Sequence, residues 1–347
     1  MINNNSEIII YGAGAVGTSI AGWLYPYNND ISLTARGKHA KQMKENGLTI
    51  FQDSSKNKTE TFPINIINDI SEKEKVDLVI ISVKNYDLEN AAKDISSKLG
   101  DIPVLALQNG VINQQILPKY FSKVIYSVLC FNSYIDAPGI TCYQSKGPVY
   151  IGSLNNEHQD LLTMTSQLFN QGFKTIITDK IQDAIHCKLA LNTINSIMAL
   201  IGKGMKKFDE LGSMSKVGKV VANMMLEATQ IIKAAGYKEH ELEGLPNWRM
   251  IKLGAKLPFF ITKFVFTKKA KKMLIDSISQ DIIMKQKKQS ELETLNGYLL
   301  ELADKLGLKV PYNKTVYELC KKQFGLEQFE PLSIEYIWNE IKKNNLK

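Results

Sequence analysis

Three groups of residues in this chain have the types and spacing to do chemistry. The first is Gly12-Ala13-Gly14-Ala15-Val16-Gly17, a G-x-G-x-x-G run. It follows the apolar stretch EIIIY at 7–11 and opens a helical pattern that continues to about Tyr25. In that context Gly12 permits a tight turn, Gly14 lets the backbone approach a pyrophosphate, and Gly17 allows close helix–strand packing. The helix N-terminus adds free N–H groups and the positive end of its dipole. The chemistry expected is dinucleotide binding. A site built for NAD places an acid at the end of the second strand, about 20 residues on, to bond the ribose hydroxyls. Here that place reads Thr34-Ala35-Arg36-Gly37-Lys38, with no acid. A guanidinium suits a 2′-phosphate through its bidentate fork, and Arg36 is one of only two arginines in the chain, with Arg249. The cofactor expected is therefore NADPH.

The second group stands at the ends of two further apolar runs. Lys84 follows VDLVIISV (76–83) and Asn109 follows IPVLALQ (102–108). Carboxyl ends of parallel strands line the ligand crevice, although Asn109-Gly110 is also a plain turn pair.

The third group lies on helices. Residues 184–201, AIHCKLALNTINSIMALI, read as a core helix that carries Lys188 and Asn192 at i, i+4 on one face. Asn195 and Ser196 continue that side. A desolvated lysine has its pKa lowered and can serve as a general acid. It can equally snorkel to water from the rim of the helix. Further on, 289–308 reads as a long amphipathic helix with a Ser290–Glu293 capping box. Glu291 then falls in the first turn, where the dipole favours a carboxylate. Either that is all it does, or it faces Lys188 and holds the ammonium. His39, His158, His186 and His240 have no metal-ligand spacing with one another or with cysteine, so no metal is expected.

The elements that must position these groups follow from the patterning. Near-continuous apolar runs that end in polar residues suit buried parallel strands. Leu88, Ala91, Ala92, Ile95 and Leu99 recur between two of them at helical spacing. Strand–helix alternation predicts a doubly wound α/β domain of Rossmann type. Residues 31–35 read as its second strand, and 123–152 as two further strands forming an antiparallel edge. A helix near 156–170 and a strand at 173–178 complete it. From about Ile181 the pattern is helical only, to about Lys343. The expected division is 1–179, a nucleotide domain, and 180–347, a helical substrate domain.

Composition bounds the class. At 347 residues with 44% hydrophobic and 22% charged residues, two globular cores are expected. Cys130, Cys142, Cys187 and Cys320 are scattered, which excludes a disulfide scaffold and suggests a reducing compartment. The start does not read as a signal peptide, and no run approaches 18 apolar residues, so a cytoplasmic location is expected. Net charge is 43 − 35 = +8. Residues 249–273 alone hold Arg249, Lys252, Lys256, Lys263, Lys268, Lys269, Lys271 and Lys272 and no acid. The remainder is neutral on balance, which argues against a nucleic-acid partner. This basic segment is expected to be helical, with its aromatics buried in the second domain and no stable membrane insertion. A basic amphipathic stretch can also lie on an anionic surface.

In the order and spacing of its blocks the chain resembles 2-dehydropantoate 2-reductase, the ketopantoate reductase family, over nearly its whole length. The resemblance rests on GAGAVG (12–17), Arg36, SVK (82–84), QNG (108–110), CKLALN (187–192) and SELETLNGYLLELADKLGLKVPYN (290–313). It implies a Rossmann domain followed by a helical domain, and NADPH-dependent reduction of ketopantoate to pantoate on the way to coenzyme A. It implies that Lys188 is the proton donor and that Glu291 positions it. It also implies that Asn109 and Lys84 contact cofactor or active site, and that Asn192 contacts substrate. Ser196 stands where the family often has a second asparagine, and is carried as a substrate contact. The family's substrate-binding serine corresponds to Ser277, with Ser279 the alternative, and Leu274 replaces an asparagine three residues earlier. These departures leave open a reductase of another 2-keto acid on the same scaffold. A non-catalytic NADP(H) sensor is disfavoured, because cofactor binding needs neither Lys188 nor Glu291. The partner expected is a small 2-keto acid, and a homodimer is left open.

Overall fold

The first half of the chain alternates strand and helix because its apolar runs are too short for helices and are separated by amphipathic ones. The computed structural model describes residues 2–205, 208–270 and 275–345. Lys271, Lys272 and Leu274 lie outside the described residues. The chain divides into two units, Met1–Ile185 and His186–Lys347, so the division falls inside a helix.

The first unit runs β1 (Ile8–Tyr11), α1 (Ala15–Leu24), β2 (Ile31–Thr34), α2 (Gly37–Asn46), β3 (Leu48–Gln52), β4 (Thr59–Phe62), β5 (Asn65–Ile67), β6 (Leu78–Ile81), α3 (Leu88–Leu99), β7 (Val104–Ala106), α4 (Asn113–Ile116), β8 (Val124–Leu129), β9 (Ser133–Ala137), β10 (Ile140–Tyr143), β11 (Val149–Gly152), α5 (Gln159–Gly172) and β12 (Thr175–Ile177). An eight-stranded sheet has the order β12-β11-β8-β7-β6-β1-β2-β5. Its centre is parallel: β1 pairs with β2 and β6, and β6 with β7. This is the doubly wound Rossmann-type arrangement.

The expected antiparallel edge is corrected in part. β11 does run antiparallel to β8. The β9–β10 hairpin instead leaves the main sheet and joins β3 and β4 in a separate four-stranded sheet. The strands at 48–52 and 59–62 are not foreseen by the patterning, since exposed edge residues such as Thr59 and Glu60 blur the alternation. Trp23 of α1 knits the layers together, with ring centroids 4.8 Å from Phe131 and 5.1 Å from Tyr143.

The second unit is helical: α6 (Ile181–Leu200, beginning in the first unit), α7 (Met214–Ala234), α8 (Trp248–Lys256), α9 (Phe259–Ala270), α10 (Ser277–Ser279), α11 (Tyr298–Lys305), α12 (Pro311–Phe324) and α13 (Ile334–Asn345). Glu227 of α7 caps α12 from outside. Its carboxylate accepts from Tyr312 N at 3.0 Å, and from Asn313 N and Nδ2 at 2.8 and 2.9 Å. Burial pushes its pKa up to about 7, against the pull of those donors.

Two expectations about this unit need correction. The helix read at 289–308 has no capping box. Ser290 Oγ accepts from Leu292 N at 3.3 Å, while Glu293 turns outward to the Tyr317 hydroxyl and to Lys321 Nζ at 3.4 Å. The segment starts with a π-helical stretch, Glu293–Gly297, before α11. The described part of the basic segment forms two helices, α8 and α9, broken at Leu257-Pro258, and its aromatics are not all buried: Phe260 is 74% and Phe264 73% exposed.

Candidate active site

In the first unit, four neighbouring parallel strands deliver the candidate nucleotide-binding residues from their carboxyl ends. β1 leads into the glycine run, β2 into Arg36, β6 into Lys84 and β7 into Asn109. Gly12 has φ +114°, a conformation that side chains rarely adopt. A Cβ on Gly17 would stand 2.3 Å from Gly12 O, so α1 reaches the turn only because residue 17 has no side chain. The turn is held on both sides. Gly12 N donates to Thr34 Oγ1 at 2.8 Å, and Ser82 Oγ donates to Gly12 O at 2.6 Å. Gly14 is different: no other part of the protein lies within 4 Å of where its Cβ would be. It is the N-cap of α1 and supplies no side-chain cap, so the first-turn N–H groups are left to an outside acceptor.

Arg36 is the N-cap of α2, whose first turn carries no acid. It lines a cavity of about 650 Å³ together with Gly12, Ala13, Thr34, Asp69 and Lys98. Lys98 is already taken up there, 2.9 Å from Asp69 and 2.7 Å from Asp94. Those bonds raise the Lys98 pKa, and the bond to Lys98 holds Asp69 well below the usual carboxylate range. Tyr11 donates to Asp94 at 2.8 Å, and burial together with that bond pushes its pKa up to about 12. The exposed Arg36 guanidinium makes no ion pair among the described residues.

The loops after β6 and β7 are tied together. Asn85 Nδ2 donates to Asn109 O at 2.9 Å, and Gln108 Nε2 donates to Ile81 O and Val83 O at 2.8 and 3.0 Å. These bonds bring the Lys84 loop beside Asn109. Ser82 and Gln108 belong to the SVK and QNG blocks, but nothing in their spacing reveals that they hold the loops. Lys98, Asp69 and Asp94 are not legible as site residues in the sequence; only the i, i+4 spacing of Asp94 and Lys98 hints at a pair.

In the second unit, Lys188 and Asn192 share a face of α6, Lys188 half-buried and Asn192 buried. Glu291 is 3% exposed. The stretch after it packs along α6: Leu292 joins the cluster of Ile197 and Met198, and Leu295 and Leu299 join that of Leu189 and Ala190. Ser196 is fully buried. Its hydroxyl donates to Thr193 O at 2.8 Å and accepts from Asn296 Nδ2 at 3.1 Å. His186 is absorbed by packing, 2.9 Å from the Tyr298 hydroxyl and stacked on Tyr237.

The two candidate serines differ. Ser279 Oγ donates to Asp276 Oδ2 at 2.7 Å, and Asp276 Oδ1 accepts from Ile278 N and Ser279 N. The Ser277 hydroxyl is buried and finds no hydrogen-bond partner among the described residues. Burial raises the Asp276 pKa and lowers that of Lys203, whose charge faces Asp276. Lys203 is not legible as a site neighbour, lying 73 residues away in sequence (276 − 203). A second π-helical stretch, Gln280–Met284, follows Ser277, as Glu293–Gly297 follows Glu291. Such turns are rare and frequent at functional sites.

Comparison with known proteins agrees with this architecture. Residues 8–156 match the family model "Ketopantoate reductase PanE/ApbA", and 180–323 match "Ketopantoate reductase PanE/ApbA C terminal". The 2-dehydropantoate 2-reductase of Pyrococcus horikoshii is 25% identical over 326 residues, 92% of this chain and 98% of that protein. That of Archaeoglobus fulgidus is 24% identical over 317 residues, covering 91% and 97%. Among solved structures, 2-dehydropantoate 2-reductase from Geobacter metallireducens superposes with TM-score 0.73 at 19% identity, over 91% of this chain and 99% of that one. A D-mandelate dehydrogenase solved with NADH and anilino(oxo)acetate superposes with TM-score 0.72 at 21% identity, over 96% and 99%. The chain belongs to the ketopantoate reductase family, oxidoreductases acting on a ketone or CH–OH group.

Proposed function

We propose that this protein reduces ketopantoate to pantoate with NADPH, in the synthesis of pantothenate and coenzyme A. The carrying observation is the buried carboxylate of Glu291, at the head of a segment packed along the helix that holds Lys188. Neither nucleotide binding nor core packing calls for that pair. Gly12–Gly17 and the start of α1 hold the pyrophosphate; the open space at Gly14 fits a group from outside the chain. Arg36, which makes no ion pair among the described residues and stands at the N-cap position of α2, takes the 2′-phosphate with help from the helix N-terminus. When bound, NADPH supplies the hydride. Lys188 donates a proton to the carbonyl oxygen as charge develops there, and Glu291 keeps the ammonium oriented. Lys84 and Asn109, on their tied loops, contact cofactor or substrate, and Asn192 and Ser277 contact substrate.

A second reading is a reductase of another 2-keto acid. It is favoured by Ser196, whose hydroxyl is spent inside the protein where the family often has an asparagine. NADPH oxidation against a panel of 2-keto acids tests both. The first reading requires ketopantoate to have the highest kcat/KM; a bulkier or smaller acid ahead of it selects the second.

A further inference from the structure

We propose that the outer face of α8 and α9 docks on the surface of an anionic lipid bilayer. Both helices rest on α7. Ile251 of α8 is buried, and Thr262 and Phe266 of α9 crowd Gly218 of α7, where a Cβ would stand 2.7 Å from Thr262 and 3.0 Å from Phe266. Lys219 of α7 fastens the turn between the helices by donating to Ala255 O at 3.0 Å and to Leu257 O. The hairpin is thus held from one side.

Its other side is unlike an ordinary solvated helix face. At about 100° per residue, Phe260 and Phe264 each lie about 160° from Thr262, pointing away from α7. Lys263 and Lys268 fall on the two flanks, about 100–120° from Thr262. On α8, Leu253 stands opposite Ile251 in the same way, and it is 61% exposed. Arg249, Lys252, Lys256, Lys263 and Lys268 are all exposed and form no ion pair among the described residues. No acid occurs between 249 and 270. Apolar rings at the pole with cations on both flanks make an interfacial helix: the rings enter the acyl boundary and each lysine gains from an anionic headgroup layer. A second copy of the chain is a poor occupant, because two such faces would repel. Spanning is excluded for these helices, since no described helix is long and apolar enough to cross a bilayer.

The test is co-sedimentation of the full-length protein with phosphatidylcholine vesicles, with and without phosphatidylglycerol. Binding is expected only to the anionic vesicles, falling as salt rises. Phe260→Ser/Phe264→Ser should weaken it about tenfold or more, since each ring forfeits its burial, with an unchanged thermal unfolding curve. Lys263→Glu/Lys268→Glu should weaken it as well. Equal binding to neutral vesicles, no binding to either, or full binding by the Phe260→Ser/Phe264→Ser protein would overturn the proposal. So would a dimer of the unaltered protein that the serine variant dissolves, because the face would then belong to a second copy.

Discussion

The two units build their sites by different means. In the nucleotide unit every candidate residue sits at the carboxyl end of a strand, within a few residues of the turn that orients it. Gly12, Arg36, Lys84 and Asn109 arrive side by side because β2, β1, β6 and β7 are neighbours in a parallel sheet. In the helical unit the candidates come from the middle of α6, from a short capped turn at Ser277 and from the approach to a π-helical stretch. No local rule relates those positions to one another. The contrast teaches that a strand-end site is specified by backbone geometry, and a helical-bundle site by which side chains win the space between helices.

If that division is right, the units should fail separately. The largest effect is expected from Lys188→Ala. A positioned proton donor contributes about 10²–10⁴-fold, or about 3–5 kcal/mol of barrier. The variant should lose at least about a hundredfold in kcat on the best keto acid, while fluorescence titration shows NADPH binding unchanged. Glu291→Ala should lower kcat/KM as well, and the double variant should be less than additive because the pair acts as a unit. Near-normal turnover by folded Lys188→Ala would remove the mechanism.

Arg36→Asp is the reciprocal test. A charge-assisted bond to phosphate is worth about 1.5–3 kcal/mol, so the dissociation constant for NADPH should rise about tenfold or more while that for NADH changes little. Equal use of NADH and NADPH by the unaltered enzyme would refute the reading of the β2 end.

The smallest effect separates the two serines. Ser277→Ala should raise KM for the keto acid by about two- to tenfold, as one neutral hydrogen bond would, with little change in unfolding midpoint. Ser279→Ala should do the opposite: it strips a donor from buried Asp276 and lowers stability by about 1 kcal/mol before it touches KM. If Ser279→Ala alone shifts KM, the substrate hydroxyl contact has been assigned to the wrong residue.

Much of the nucleotide unit is legible in the sequence by itself. The glycine run, the absence of an acid after β2 and the apolar strands are local signals: each depends on a turn or a period of two or three and a half residues that the chain carries with it. The same holds for α6, and for the placing of helices from Ile181 onward. The resemblance to ketopantoate reductases carries the roles of Lys188 and Glu291 further than spacing can, since 103 residues separate them (291 − 188).

How polar groups are shared out depends on contacts between elements distant in sequence. Ser196 reads as a helix-face hydroxyl; packing against Asn296 makes it an internal bond. Glu293 reads as half of a capping box, yet Tyr317 and Lys321 from α12 outcompete Ser290 for it. Ser277 and Ser279 are indistinguishable by type and nearly so by position; the one that faces Asp276 is satisfied, and the other finds no partner among the described residues. Lys98 would pass for a surface lysine until Asp69 and Asp94 close on it, while Arg36, lining the same cavity, makes no ion pair among the described residues. Phe260 and Phe264 look like core residues and stand in the open. The physical reason is common to all of these. A side chain's periodicity determines which way it points from its own element, but its hydrogen bonds and burial depend on what another element, distant in sequence, places opposite it.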